Sequence, residues 1–422
     1  MAGWSQTKLG QISQIYSGFA FRSQDLSDHG IPVLKIANIQ NKRVKPECQD
    51  HFPEKLCTAK LNRFFLHPDD TLIAMTGAGS VGKVGKMPRN SGRFLVNQRV
   101  AIVRPDTSSC DPAFVYFALS QEHYEKQLYG LGLGAGQPNV SAKQIGELEL
   151  PFPSMQVQHR IAGILSAYDE LIENSQQRIT ILEAMARALY REWFVHFRFP
   201  GHEHHPRVAS PFGEIPQGWE ATTLGMHLTA LESGKRPKGG IREEKDGVPS
   251  VGAENINGIG NHDFASEKLV PREFFEQMRK GVICDRDVAI YKDGAYIGKS
   301  SYFRDGFPHK KCCVNEHVFL LRGEGVRLKQ NFLYVWLQEP DTVQTIRSKN
   351  TGAAQPGINQ QTIGGLELVL PDEKTAAHFD RLVEPPLAEI ICLAKRIQNL
   401  RCTRDLLLPR LLSGQIEVEG TA

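Results

Sequence analysis

The feature that most constrains this 422-residue chain is a run of helical periodicity from Gln158 to about Phe199. Apolar or small residues recur there at alternating steps of four and three: Ile161, Leu165, Tyr168, Ile172, Ser175, Ile179, Leu182, Ala186, Leu189 and Trp193. A seam repeating every seven residues lies along one side of an α-helix. No Pro interrupts it, and a rise of about 1.5 Å per residue makes it about 60 Å long. One small globule cannot bury a stripe of that length, so the helix requires a partner of similar size.

The same chain supplies one. A shift of about 218 residues carries the seam onto Phe379, Val383, Pro386, Ile390, Leu393, Ile397, Leu400, Arg404, Leu407 and Leu411. Eight of these ten suit a buried seam; Pro386 and Arg404 do not. The Glu384-Pro385-Pro386 step predicts a kink, or the point where regular helix begins.

The globular segments ahead of the helices repeat as well. Trp4, Leu9-Gly10 and Ser17-Gly18 are answered by Trp219, Leu224-Gly225 and Ser233-Gly234. Gly30-Ile31-Pro32 returns as Gly247-Val248-Pro249, and Asp70-Thr71-Leu72-Ile73 as Asp287-Val288-Ala289-Ile290. Val96-Asn97-Gln98-Arg99-Val100 is matched by Val314-Asn315-Glu316-His317-Val318, and Gly136-Gln137-Pro138 by Ala354-Gln355-Pro356. The apolar runs at 31–36, 71–75 and 100–103 read as strands, and 111–119 as a helix with an Asp cap and Pro in its first turn. The chain therefore reads globule–helix–globule–helix, an α+β protein with its two long helices forming an antiparallel coiled coil. The halves are expected to be related by a pseudo-two-fold axis, which suits a ligand with its own two-fold axis, such as duplex DNA.

Composition excludes more than it selects. A net charge of +3 neither requires nor forbids a polyanionic partner. The long apolar pattern is a stripe with charges on its other faces, which argues against a membrane span. The N-terminus MAGWSQTKLG has no secretory pattern, and eight scattered cysteines read as reduced thiols in a cytoplasmic protein.

Most tempting motifs fail on context. Gly77-Ala78-Gly79-Ser80-Val81-Gly82-Lys83 matches most of a phosphate-cradling loop, but Val84 to Asn90 cannot form the helix that such a loop opens. A glycine turn between strands, with a lysine for a nucleic-acid phosphate, fits this copy and Gly294–Ser300 better. Asp111-Pro112-Ala113-Phe114 is explained by the helix cap, and Glu243-Glu244-Lys245 by a solvated loop. His202, His204 and His205 lie in a Pro/Gly-rich linker without paired cysteines, so no metal site is expected. No catalytic constellation is present in the sequence.

Polar and basic residues in equivalent loops remain. In the first globule these are Lys35, Asn38, Lys42, Arg43, Lys83, Lys86, Asn97, Gln98, Arg99, Gln137 and Asn139. In the second they are Lys235, Arg236, Asn255, Asn257, Lys292, Lys299, Asn315 and Gln355. Arg and Lys suit phosphates and guanine edges, and Asn and Gln suit adenine edges. At the helix ends, Trp193, Phe194, Phe197, Leu411 and Leu412 are candidate docking residues for a partner protein, with plain core as the other reading.

In this order and twice over, these motifs resemble the specificity (S) subunit of type I restriction–modification systems. The run Leu150-Pro151-Phe152-Pro153-Ser154-Met155-Gln156-Val157-Gln158 into the first helix belongs to the same pattern. At the second junction Leu370-Pro371 is kept, but Asp372-Glu373-Lys374-Thr375 replaces the Gln-rich segment. The resemblance implies target recognition domains at 1–153 and 218–371, each reading half of a split DNA site. It implies helical spacers at 154–200 and 372–416, a linker at 201–217 and a tail at 417–422. It further implies that the helices dock two methyltransferase (M) subunits, which carry S-adenosylmethionine, and through them restriction (R) subunits, which use ATP and magnesium. This chain would then bind no cofactor and catalyse nothing. The competing reading is a coiled-coil scaffold with two protein-binding domains and no DNA contact.

Overall fold

A computed structural model of the chain describes residues 4–88, 92–134, 136–238, 240, 246–350 and 357–418. Two compact units divide it: 1–170 with 400–422, and 171–399. Each long helix is therefore shared between the units, its globule and a length of both helices forming one core.

In the first unit the buried strand Thr71–Ala74 lies inside a six-stranded sheet. Its order is Ser13–Ser17, Val100–Pro105, Thr71–Ala74, Val84–Lys86, Arg43–Val44 and Ile39–Gln40. The apolar, β-branched runs at 71–74 and 100–103 are buried on both faces, as continuous apolar strands must be. A three-stranded sheet sets Ile31–Leu34 between His51–Phe52 and Leu95–Val96, and Ser5–Lys8 pairs antiparallel with Glu149–Phe152. Asp111 caps helix Pro112–Leu119 by accepting from Phe114 N at 2.9 Å, with Pro in the first turn as the sequence predicts.

The second unit repeats this plan. Its five-stranded sheet runs Leu228–Ser233, Val318–Gly323, Val288–Tyr291, Ser300–Tyr302 and Gly258–Ile259. Lys268–Val270, Val248–Val251 and Cys313–Val314 form the three-stranded sheet, and Glu220–Thr223 pairs with Glu367–Leu370. The correspondence extends to mixed strand direction: Val33 pairs parallel with Leu95, and Ser250 parallel with Cys313.

The long helices are Met155–Tyr190 and Glu373–Leu412, about 54 and 60 Å at the standard rise. They run antiparallel in both units. In the first, Ile161 and Leu165 near the start of one share a core with Leu408, Leu411 and Leu412 at the end of the other. In the second, Arg178 meets Glu389 at 2.8 Å, and Tyr190 packs on Phe379 with ring centroids 6.2 Å apart. Of the expected seam residues, Ile161, Leu165, Ile172, Ile179, Phe379, Val383, Ile390, Leu393 and Ile397 are buried. Tyr168, Leu182, Leu189, Leu400 and Leu407 are half-buried at its margins.

Two expectations are corrected here. The regular part of the second helix does not begin at Pro385-Pro386; it starts at Glu373 and runs through both prolines. Asp372 caps it, accepting from Thr375 N at 3.0 Å. The docking assigned to Trp193, Phe194, Leu411 and Leu412 fails because all four are core. Phe194 packs on Phe379, Phe332 and Trp219 at 4.8, 4.9 and 5.6 Å. Leu411 and Leu412 are each 2% exposed. Phe197 is half-buried with φ 56°, its ring edge on Trp219.

The linker carries structure of its own: a turn at His202–His204 and a hairpin of Arg207–Ser210 with Gly213–Pro216. His202 bonds Phe199 O and His205 bonds Gln217 O, so these histidines are committed to separate partners. All eight cysteines are free thiols; burial pushes Cys312 up to about 12 and Cys313 up to about 11. Among the described residues no helix is long and apolar enough to cross a membrane.

Candidate nucleic-acid interface

Three loops meet at one backbone position in the first unit. Met75 N donates to Arg99 O at 2.9 Å, and Met75 O accepts from Val140 N at 2.9 Å. Gly77 N donates to Pro138 O at 3.1 Å. The Gly77–Lys83 turn, the Asn97–Arg99 turn and the Gln137–Asn139 segment are thereby joined at one end of the central strand. The glycine turn closes on itself, Ala74 N donating to Lys83 O and Gly82 N to Ala74 O, both at 2.9 Å. It leads into strand Val84–Lys86, not a helix, so no helix N-terminus faces it. Asn97 Oδ1 accepts from Arg99 N and shapes the second turn, leaving Gln98 and Arg99 exposed. Gln137 and Asn139 are exposed as well.

The second unit builds the same junction at Lys292. Its N–H donates to His317 O at 3.0 Å, and its carbonyl accepts from Ile358 N at 2.9 Å. Tyr291 N bonds Lys299 O and Gly298 N bonds Tyr291 O, repeating the closed turn. Asn315 Oδ1 accepts from His317 N as Asn97 does from Arg99. Lys292 lies 5.2 Å over the Phe319 ring and Lys299 4.5 Å over Tyr296. Burial, and next the Asp293 carboxylate, push the Tyr291 phenol up, so it stands here as a neutral hydroxyl.

The sequence candidates divide sharply by what their side chains touch. Lys83, Gln98, Arg99, Gln137, Asn139, Lys292, Lys299 and Asn315 belong to the two junctions. Others bind their own chain. Asn38 accepts from Lys35 N and donates to Lys45 O and Glu47 O, so its whole amide organises a turn. Asn255 is 3% exposed and accepts from Asp263 N. Arg43 donates to Asp169 O on the first long helix, Lys35 pairs with Asp50, and Arg236 pairs with Glu316 at 2.8 Å. Asn257 bonds Glu254 O and receives Lys299 Nζ at 3.4 Å. Lys86 lies 6.0 Å over Tyr116. Lys42 is exposed at the tip of a tight turn with φ 63°, and Lys235 is exposed. Gln355 lies outside the described residues, as does Glu243-Glu244-Lys245.

Sequence reasoning passed over His317 and Tyr296. His317 stands where Arg99 stands, its Nδ1 2.7 Å from Asp293, and Tyr296 is 51% exposed beneath Lys299. Both lie inside the repeated motifs, Val314–Val318 and Gly294–Ser300.

Polar side chains on exposed turns at a sheet end offer hydrogen bonds to base edges, and lysines on closed glycine turns offer charge to phosphates. Residues 1–184 match the family model described as type I restriction modification DNA specificity domain. The chain is 26% identical to the MjaIX specificity subunit of Methanocaldococcus jannaschii over 72% of its length and 69% of that protein's. It is 22% identical to the StySPI specificity subunit of Salmonella potsdam over 100% of this chain and 90% of that one. A type I restriction-modification S subunit from M. genitalium has the same fold, with TM-score 0.57, 17% identity and 97% and 96% of the two chains covered.

Proposed function

We propose that this chain is a specificity (S) subunit of a type I restriction–modification system, as its likeness to such subunits supports, and that its two units each read one half of a split duplex-DNA sequence. The observation that carries this reading is the duplicated loop junction, at Met75 in one unit and Lys292 in the other. One backbone design is kept while the side chains on the turn differ, exposed Gln98-Arg99 against half-buried Glu316-His317. That is what a pair of readers with different targets needs. The paired helices set the unread gap between half-sites, at least one helical turn of DNA or about 34 Å.

The helices also dock two M subunits, and R subunits join through them. Exposed apolar side chains support this role: Leu171, Ile181, Met185 and Leu382 in one unit, Leu406 in the other. S-adenosylmethionine belongs to the M subunits and ATP with magnesium to the R subunits, in the cytoplasm where host DNA lies. The chain itself contributes recognition and no chemistry.

Two measurements test the reading. Binding of the full chain to specific duplex should weaken steeply from low to moderate salt; weak salt dependence would favour a protein-binding scaffold. Removing one helical turn from each long helix should change the tolerated gap and leave both half-site sequences intact. Altered half-sites would contradict the ruler.

A further inference from the structure

The second unit gathers three metal-ligating side chains that no DNA-reading role uses. His262 Nε2 lies 2.5 Å from Glu267 Oε1, and His309 Nε2 meets the same oxygen. The ligand atoms of all three lie within 4.8 Å of one another. They come from separate segments: His262 follows strand Gly258–Ile259, Glu267 precedes Lys268–Val270, and His309 follows Ser300–Tyr302. Asn255 holds the first segment in place by accepting from Asp263 N.

We propose that His262, Glu267 and His309 form a zinc site, with a water in the fourth position, that ties these loops of the second unit together. Two imidazole nitrogens and one carboxylate oxygen are donors that tetrahedral zinc accepts at about 2.0–2.2 Å. Ligand atoms around such an ion stand roughly 3.3 Å apart, so an opening of about an ångström admits it. The surroundings suit a site closed on one side. The His262 side chain is 2% exposed, and Phe264 packs against both imidazoles with ring centroids at 4.7 and 5.7 Å. Glu267 and His309, at 17% and 29%, leave the approach that the ion and its water need.

The trio is not part of the duplicated architecture. Phe52 pairs with Ile31 as Val270 pairs with Val248, which places Gln49 where Glu267 stands. The first unit is therefore an internal control that lacks the acidic ligand.

The test uses the full chain, tag-free, stripped with chelator, incubated with zinc chloride and freed of unbound ion before elemental analysis. Wild type should retain about one zinc per chain and melt several degrees higher than the stripped protein. Glu267→Gln keeps size and hydrogen bonding, and His309→Ala changes a half-exposed ring. With unchanged circular dichroism, each should weaken zinc binding at least about tenfold. A triple His202→Ala, His204→Ala, His205→Ala variant should retain the ion. Wild type holding below about 0.1 zinc per chain, or Glu267→Gln holding as much as wild type, would overturn the proposal. So would loss of zinc in the linker variant alone.

Discussion

Arg404 Nη1 lies 2.5 Å from Asp169 Oδ1, joining the end of one long helix to the first half of the other. Arg404 is one of the two seam positions that periodicity marks as unsuitable, and this carboxylate is the reason it is tolerated. Burial would lower the Arg404 pKa; Asp169 and then Asp405 outweigh it and raise it. Arg43, from the sheet of the same unit, donates to Asp169 O at 3.3 Å. The pair therefore also anchors the globule to its helices.

Removing Asp169 leaves a largely buried guanidinium with the exposed Asp405 carboxylate as its remaining acidic partner. Asp169→Ala should cost about 3 kcal/mol in the unfolding of the first unit, while Asp169→Leu combined with Arg404→Leu should recover most of it. Urea denaturation of both variants checks this, and equal losses in the two would contradict it.

The repeated Ser-Gly pairs mark a close backbone approach. A methyl group on Gly18 would overlap the Val96 carbonyl, and one on Gly234 the Val314 carbonyl. Each strand must move before alanine fits, so Gly18→Ala and Gly234→Ala should each destabilise by about 2 kcal/mol or more. Thermal unfolding measures the loss. A neutral substitution at either would show that the approach is not required.

Asp372 gives the second long helix a pH-dependent start. Burial would raise its carboxyl, but the Thr375 hydroxyl and the N–H groups of Thr375 and Lys374 hold it below the ordinary value of 3.8. A carboxyl depressed in the folded state contributes stability above its unfolded value and loses it as pH falls through the folded one. Asp372→Ala should cost about 1 kcal/mol near neutral pH, and its difference from wild type should shrink below pH 3.8. A gap that stays constant to lower pH would contradict the cap.

Under the proposed function, Gln98 in the first unit's junction reads a base and Lys83 holds a phosphate. Gln98→Ala should relax one base position in one half-site by about 1–3 kcal/mol, with the other half-site unchanged. Lys83→Ala should weaken binding evenly across sequences and lower the salt slope by about one. Competition binding with single-base variants of the site distinguishes the two behaviours; sequence-selective loss from Lys83→Ala would reverse the assignments.

The architecture was legible because it rests on periodicity. A seven-residue seam and a shift of about 218 residues are properties of the order of side chains, and both appear in the fold. The junctions were half legible. Asn97 and Gln98 could be named, but nothing in sequence separates Asn38, whose amide closes a turn, from an asparagine that reads adenine. Trp193 and Leu411 announce apolar burial without saying whether core or partner provides it. The His262–Glu267–His309 group was not legible, since His309 stands 42 positions from Glu267 and meets it only in the folded chain.

The most direct test maps adenine methylation in host DNA with and without this chain, alongside the M subunits proposed as its partners. Gene-dependent methylation is expected at one motif of two specified blocks separated by an unread gap. Altering the Gln98 turn should change one block alone. A single continuous motif, or a change in both blocks from that one turn, would contradict the claim that each unit reads its own half.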